Sequence, residues 1–184
     1  MNIFYLDKHV SRCAEMHNDK HCIKMILEYA QLLSTAHRVI DGTITQGTSA
    51  SGRKRTTYRL ADQREGVLYS ATHINHPSAI WVRQTSSNYM WLYDLWVCLM
   101  EEYTYRYGKV HKCESIGLVK MLINQVPNNI PNGPFTEPTP AMPDDVKVSG
   151  DSIASYRNYY IQNKSHLASW SGKINSRPVP EWYV

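Results

Sequence analysis

Asn18-Asp-Lys-His-Cys-Ile-Lys-Met-Ile-Leu-Glu-Tyr-Ala-Gln-Leu-Leu-Ser-Thr-Ala-His-Arg-Val-Ile40 is the longest stretch with a single unbroken period. Ile23, Ile26, Leu27, Ala30, Leu33 and His37 recur three and four residues apart, the spacing of one helix face. Asn18 or Asp19 supplies an N-cap, and Asp41-Gly42 closes the element with Gly42 as the C′ residue.

Downstream, His76-Pro77 opens a second helical region running to about Thr85, with proline in its first turn. Ser86 or Ser87 caps a longer helix through Tyr107, stopped by Gly108. A short helix is predicted over 113–124, and Asp151 caps a final one that runs to about Trp170. Between them, 43–66 reads as a basic Gly/Ser/Thr-rich loop, and six prolines make 127–147 an extended connection. Ile3–Leu6 is a candidate short strand, and 172–184 an extended tail ending in aromatics. The expectation is a mainly α fold: one compact domain, 1–184, of four to five helices with long loops.

Composition bounds the function. Lys plus Arg is 20 against 16 for Asp plus Glu, a formal charge of +4, and hydrophobic residues make up 42%. That excludes a disordered chain and hints mildly at an anionic partner. The stretch Tyr89–Met100 is too short and too polar to span a bilayer, and no signal peptide is visible. The expected location is cytoplasmic, with no membrane partner. Cys13, Cys22, Cys98 and Cys113 show no C-x-x-C pairing and read as reduced thiols. Thirteen tyrosines and five tryptophans suit either a helix core boundary or a surface that stacks bases.

Several polar groups could carry chemistry. His17, His21, Lys24 and Glu28 fall within about 60° on one helix face, with Asp19 on the other side. An ordinary polar face explains them as well. Two histidines four apart can bind zinc, but Asn18 follows the first where a metalloprotease helix has glutamate. His76 and Arg83 could bind phosphate at a helix start, or cap it and pair locally. Arg106, Lys109 and His111 sit at a helix end that favours cations by its dipole. Arg157, Tyr160 and Lys164 share a face that could track a nucleic-acid backbone or simply meet solvent. No Gly-rich phosphate loop, G-x-S-x-G elbow or zinc-finger pair is present, and no cofactor is implied.

Two resemblances bear on function. The blocks Asp19-Lys-His-Cys-Ile-Lys-Met-Ile-Leu-Glu28, His76-Pro-Ser-Ala-Ile-Trp81, Asn88-Tyr-Met-Trp-Leu92, Tyr105-Arg-Tyr-Gly-Lys109 and Ala141-Met-Pro-Asp144 resemble a group of tailed-phage proteins. No activity transfers from that group. More weakly, His17-Asn-Asp-Lys-His21, His76-Pro77 with Trp81, Glu102–Tyr107 and the Trp182-Tyr183 tail are similar to the pyrimidine-dimer DNA glycosylase family of endonuclease V type. That resemblance implies an amine attacking C1′ of a damaged nucleotide, a Schiff base, and a carboxylate assisting strand cleavage. It places the carboxylate at Asp19, one methylene shorter than the family glutamate, and demands a free amine at residue 1 or 2; Asn2 is a poor residue for exposing a new terminus, which leaves Met1 as the candidate. An α-amine ionises near pH 8 and a lysine near 10.4, which makes Lys24 beside His21 a second candidate nucleophile.

The leading expectation is a DNA glycosylase/AP lyase acting on damaged or modified pyrimidines. Met1, Asp19, His21 and Lys24 would be catalytic, with His17, His76 and Arg83 positioning phosphate and base. The alternatives are a protein that binds or cleaves a small nucleotide, a metal-dependent nuclease using His17, Asp19, His21 and His76 or His111, and a non-catalytic interaction protein using the aromatic tail.

Overall fold

The computed structural model describes residues 1–48, 51–123 and 125–183. It is a mainly helical domain with one two-stranded sheet. Among the described residues, no helix is long and apolar enough to cross a membrane. The elements are α1 (Val10–Met16), α2 (Asp19–Asp41), β1 (Thr43–Thr48), β2 (Lys54–Arg59), α3 (Pro77–Val82), α4 (Ser86–Tyr107), α5 (Lys112–Ser115), α6 (Leu118–Leu122) and α7 (Ser152–Asn163).

The long helix forms as its pattern predicts, with Asn18 as N-cap: its side chain accepts the His21 N–H at 2.9 Å. Asp19 is the first helical residue. The buried face is rotated from the expected one. Cys22, Met25, Ile26, Tyr29, Ala30, Leu32, Leu33 and Ala36 are buried, whereas Ile23 and Leu27 are each 41% exposed. Gly42 ends the helix with φ −83°, so it is not a left-handed C′ residue. A Cβ there would strike the Arg38 carbonyl, which is a steric reason for glycine.

Helix α4 packs against both α2 and α1, and the indole N–H of Trp96 donates to the Ile26 carbonyl at 2.9 Å. Its N-cap is Thr85, and Gly108 at φ 62° closes it as expected. The region after His76 is helical only to Val82, where Arg83 caps it. The single helix expected over 113–124 splits into α5 and α6 at Gly117, whose φ is 81°; position 124 lies outside the described residues. Asp151 caps α7, which ends at Asn163, short of Trp170. The tail is not simply extended: Glu181–Tyr183 forms a 3-10 turn, and Trp170 is buried.

Ile3–Leu6 is fully buried but is not a strand. Side chains stand in for a sheet neighbour: Phe4 N–H donates to the Tyr29 hydroxyl, Phe4 O accepts from Cys13, and Leu6 O accepts two bonds from Arg157. Satisfying these buried backbone groups needs no ladder. The sheet lies instead within the expected loop 43–66, where β1 and β2 pair antiparallel with Thr43 opposite Arg59 and Thr48 opposite Lys54. A 3-10 turn, Gln63–Gly66, follows.

The proline-rich connection is fastened to α4 by Asn88. Its amide donates to Trp81 O at 3.1 Å and to the Thr136 hydroxyl at 3.0 Å, and its oxygen accepts the Thr136 N–H at 2.9 Å. Asn88→Ala is expected to cost about 2 kcal/mol, because buried partners on both elements lose their bonds. Urea unfolding of the variant checks this, and a loss below about 0.5 kcal/mol would contradict it.

Candidate functional site

Met1, Lys24, Glu28 and His76 form the first group. The Glu28 carboxylate lies between two amines: Lys24 Nζ is 3.0 Å from Oε1, and the Met1 α-amine is 3.6 Å from Oε2. One turn of α2 sets the Lys24–Glu28 pair. The buried 3–6 segment fixes where residue 1 can lie. His76 lies in the field of the same amine, and burial together with that amine holds its imidazole below the usual value. His76 Nδ1 accepts the Ser78 N–H at 3.2 Å, capping α3, so a neutral ring carries its proton on Nε2.

Next along α2 is His21. Its Nδ1 meets the Tyr160 hydroxyl at 2.6 Å, and its ring stacks on Phe4 with centroids 4.2 Å apart. Burial, with the cationic neighbours Lys164 and Lys24 adding to it, pushes the imidazole down to about 3. Lys164 lies over the Tyr159 ring at 4.8 Å. The structure thus gives two groups along α2, Met1 with Lys24, Glu28 and His76, and His21 with Tyr160 and Lys164. Met1 and Tyr160 reach them through tertiary contacts that the sequence does not display.

Asp19 belongs elsewhere. Its carboxylate accepts from Arg106 Nη1 at 3.0 Å, Ser169 Oγ at 2.6 Å, Ser171 Oγ at 3.3 Å and the Gly172 N–H at 3.2 Å. Burial raises its pKa, but the bonds from Ser169, Arg106 and Gly172 outweigh that and hold it below the ordinary range. A carboxylate so saturated fixes the C-terminal segment onto α2. Among the described residues, the carboxylate within salt-bridge reach of the Met1 amine is Glu28. Sequence reading placed Glu28 on the face of His21 and Lys24 without giving it a role. The signal that could have found it is its spacing of four from Lys24.

The other expected contacts are committed to the fold. Arg106 is fully buried and binds Glu102, Asp19 and the carbonyls of Glu15 and His17, so it is not a phosphate or base contact. His17 precedes α2 rather than sharing its face, and both ring nitrogens are used: Nδ1 with Cys13 O at 2.7 Å, Nε2 with the Tyr29 hydroxyl at 3.1 Å. Burial takes its imidazole down to about 4. Arg83 donates to Ile74 O and Ala79 O, and Arg157 to Leu6 O. His111 caps α5 through Cys113 N–H, while Lys109 is exposed beside it. Among the described residues, no three His, Cys, Asp or Glu side chains are placed to hold a metal ion.

Comparison with protein-family models, with curated proteins and with solved structures found no match to this chain.

Proposed function

We propose that the chain is a DNA-processing enzyme of glycosylase/AP lyase type, with the Met1 α-amine as nucleophile and Glu28 as the assisting carboxylate. The observation that carries this reading is the 3.6 Å approach of that amine to Glu28. A neutral amine attacks C1′ and the C1′–base bond breaks, the base leaving with its bonding pair and taking a proton from solvent. Glu28 would take the amine's proton and pass it to O4′ as the C1′–O4′ bond breaks, leaving a protonated imine; free again as a carboxylate, it would take a C2′ proton, and the electron pair released expels the 3′ phosphate. Lys24 supplies a cation beside the developing charge. The small-nucleotide reading has one observation in its favour, a cavity of about 760 Å³ lined by Asp62, Gln63, Arg64, Gln125, Asn128 and Asn132. That cavity does not include the amine.

Borohydride trapping on a duplex with an abasic site tests the proposal, with intact mass verifying an unblocked Met1. The adduct is expected to map to Met1. In Glu28→Gln, strand cleavage should fall at least about tenfold while any adduct still maps to Met1. An adduct at Lys24 would overturn the choice of nucleophile. No adduct at all would overturn the amine mechanism.

A further inference from the structure

The β1–β2 ribbon holds the chain's whole charge excess. Between Gly42 and Ala61 there are four cations, Arg53, Lys54, Arg55 and Arg59, and no Asp or Glu. The full chain's formal charge is +4, so everything outside this stretch is neutral in sum. Every β1 residue is exposed, as are Lys54, Arg55, Thr56 and Arg59 of β2. Ile44, the aliphatic residue of the pair, is 60% exposed. A two-stranded ribbon with so little buried adds almost nothing to stability.

Its root, by contrast, is firmly built. Arg38, buried in α2, donates to Tyr58 O at 2.9 Å and to Glu65, while Glu65 also accepts from Arg59 at 2.7 Å and Leu60 N–H at 2.9 Å. Arg59 is thus committed to the anchor. Among the described residues, Lys54 and Arg55 make no ion pair. The ribbon is fastened at its base by Arg38 and Glu65, and its cations Lys54 and Arg55 are exposed, Arg55 beside a cavity that Ser70 and Ala71 also line.

Gly47 is an independent clue. It sits in β1 directly opposite Arg55, its φ is not in the left-handed region, and a Cβ added there would meet nothing within 4 Å. The fold does not require glycine at that position, and a strand glycine weakens the strand. On an exposed ribbon, the missing side chain leaves room for another molecule to approach the backbone closely.

We infer that this ribbon is a docking element for duplex DNA and enters the major groove, with Lys54 and Arg55 on phosphates and the Gly47 backbone closest to the groove. The B-form major groove is about 12 Å wide and admits a two-stranded ribbon, whose strands lie about 4.8 Å apart. Thr45, Thr57, Gln46 and Thr56 present hydroxyl and amide groups along the strands; the Thr45 and Thr57 hydroxyls pair with each other at 2.6 Å, and Thr56 donates to Gln46 at 3.1 Å. Such groups donate to and accept from base edges and phosphates alike. The inference deepens the DNA-processing reading by naming how the duplex is held.

Fluorescence anisotropy with a short duplex over a salt series tests it. Lys54→Gln/Arg55→Gln should weaken binding about tenfold or more and lower the slope of log affinity against log salt by about 2. Gly47→Val should weaken binding several-fold while leaving thermal stability unchanged or raised. Guanine N7 methylation of the probe should interfere, and a duplex RNA of the same length should bind more weakly, because its major groove is too deep and narrow. Unchanged affinity and slope in the double variant, or equal binding of the RNA duplex, would overturn the inference. With each variant at saturating protein, any adduct trapped on a single-stranded abasic oligonucleotide should still map to Met1, whatever the loss of affinity. A failed amine mechanism with ribbon-dependent duplex binding is therefore distinguishable from the reverse.

Discussion

Arg106→Ala is expected to destabilise the protein by about 3–5 kcal/mol, the range for removing one partner from a buried ionic network. The guanidinium has no exposed surface and spans four acceptors: Glu102 at 2.6 Å, Asp19 and His17 O at 3.0 Å, and Glu15 O at 2.8 Å. Its own carbonyl accepts the N–H groups of Lys173 and Ile174. The side chain thus ties the end of α1, the start of α2 and the end of α4, and the carbonyl of the same residue holds the C-terminal segment. Without it, two carbonyls lose a donor, and Arg177, at 2.9 Å from Glu102, offsets only part of the stranded negative charge. For a chain of this length the loss corresponds to a midpoint lower by roughly 10 °C. Arg106→Lys should recover little, since an ammonium cannot reach four acceptors in one plane. A thermal or urea midpoint within about 1 kcal/mol of wild type in Arg106→Ala would contradict the assignment.

That network also shows where sequence reading stops. Helix α4 was legible because Gly108 and the polar run at its start are local signals. Helix α2 was legible by period, but its buried face was not: Ile23 and Leu27 are as apolar as Ile26, and only the tertiary partners decide which side is covered. Arg106 at a helix end looked like a cation serving the helix dipole. Apart from Glu102, one turn back, its partners lie 87 to 91 residues away in sequence. The ribbon escaped notice because Thr, Gln, Gly and Arg give no alternation of apolar and polar residues when both faces meet solvent. Conversely, Ile3–Leu6 carried a strand's apolarity but takes its hydrogen bonds from Tyr29, Cys13 and Arg157. For the candidate site, Lys24 and Glu28 were readable as a helix pair. The approach of residue 1 was not, because it is set by how the 3–6 segment threads past α2.

The buried histidines give the second large effect, which is on pH. His17 is held down to about 4, His21 to about 3 and His37 to about 4, from 6.5, with burial as the leading cause in each. At His37 the geometry gives a further reason: Nδ1 accepts from Arg64 at 3.0 Å, so protonation would lose that bond and set one cation against another. The unfolded chain binds protons at these sites from about pH 6.5 downward, while the folded chain does not until about pH 4 or below. Their stabilisation is therefore full above pH 6.5 and is lost as the pH falls toward 4, at roughly 2 kcal/mol per histidine between pH 7 and 5. Asp19, Asp41 and Glu65 also have lowered values, the last about 2, but their contribution is lost only as the pH falls below the ordinary carboxylate range. The two windows separate. Urea midpoints measured across pH 7 to 5 should thus fall by about 5 kcal/mol in all, before carboxylate protonation contributes. In His37→Asn, whose side-chain oxygen retains the Arg64 bond, that fall should shrink by about a third. A flat profile over this interval would mean that the histidines are not neutral in the core.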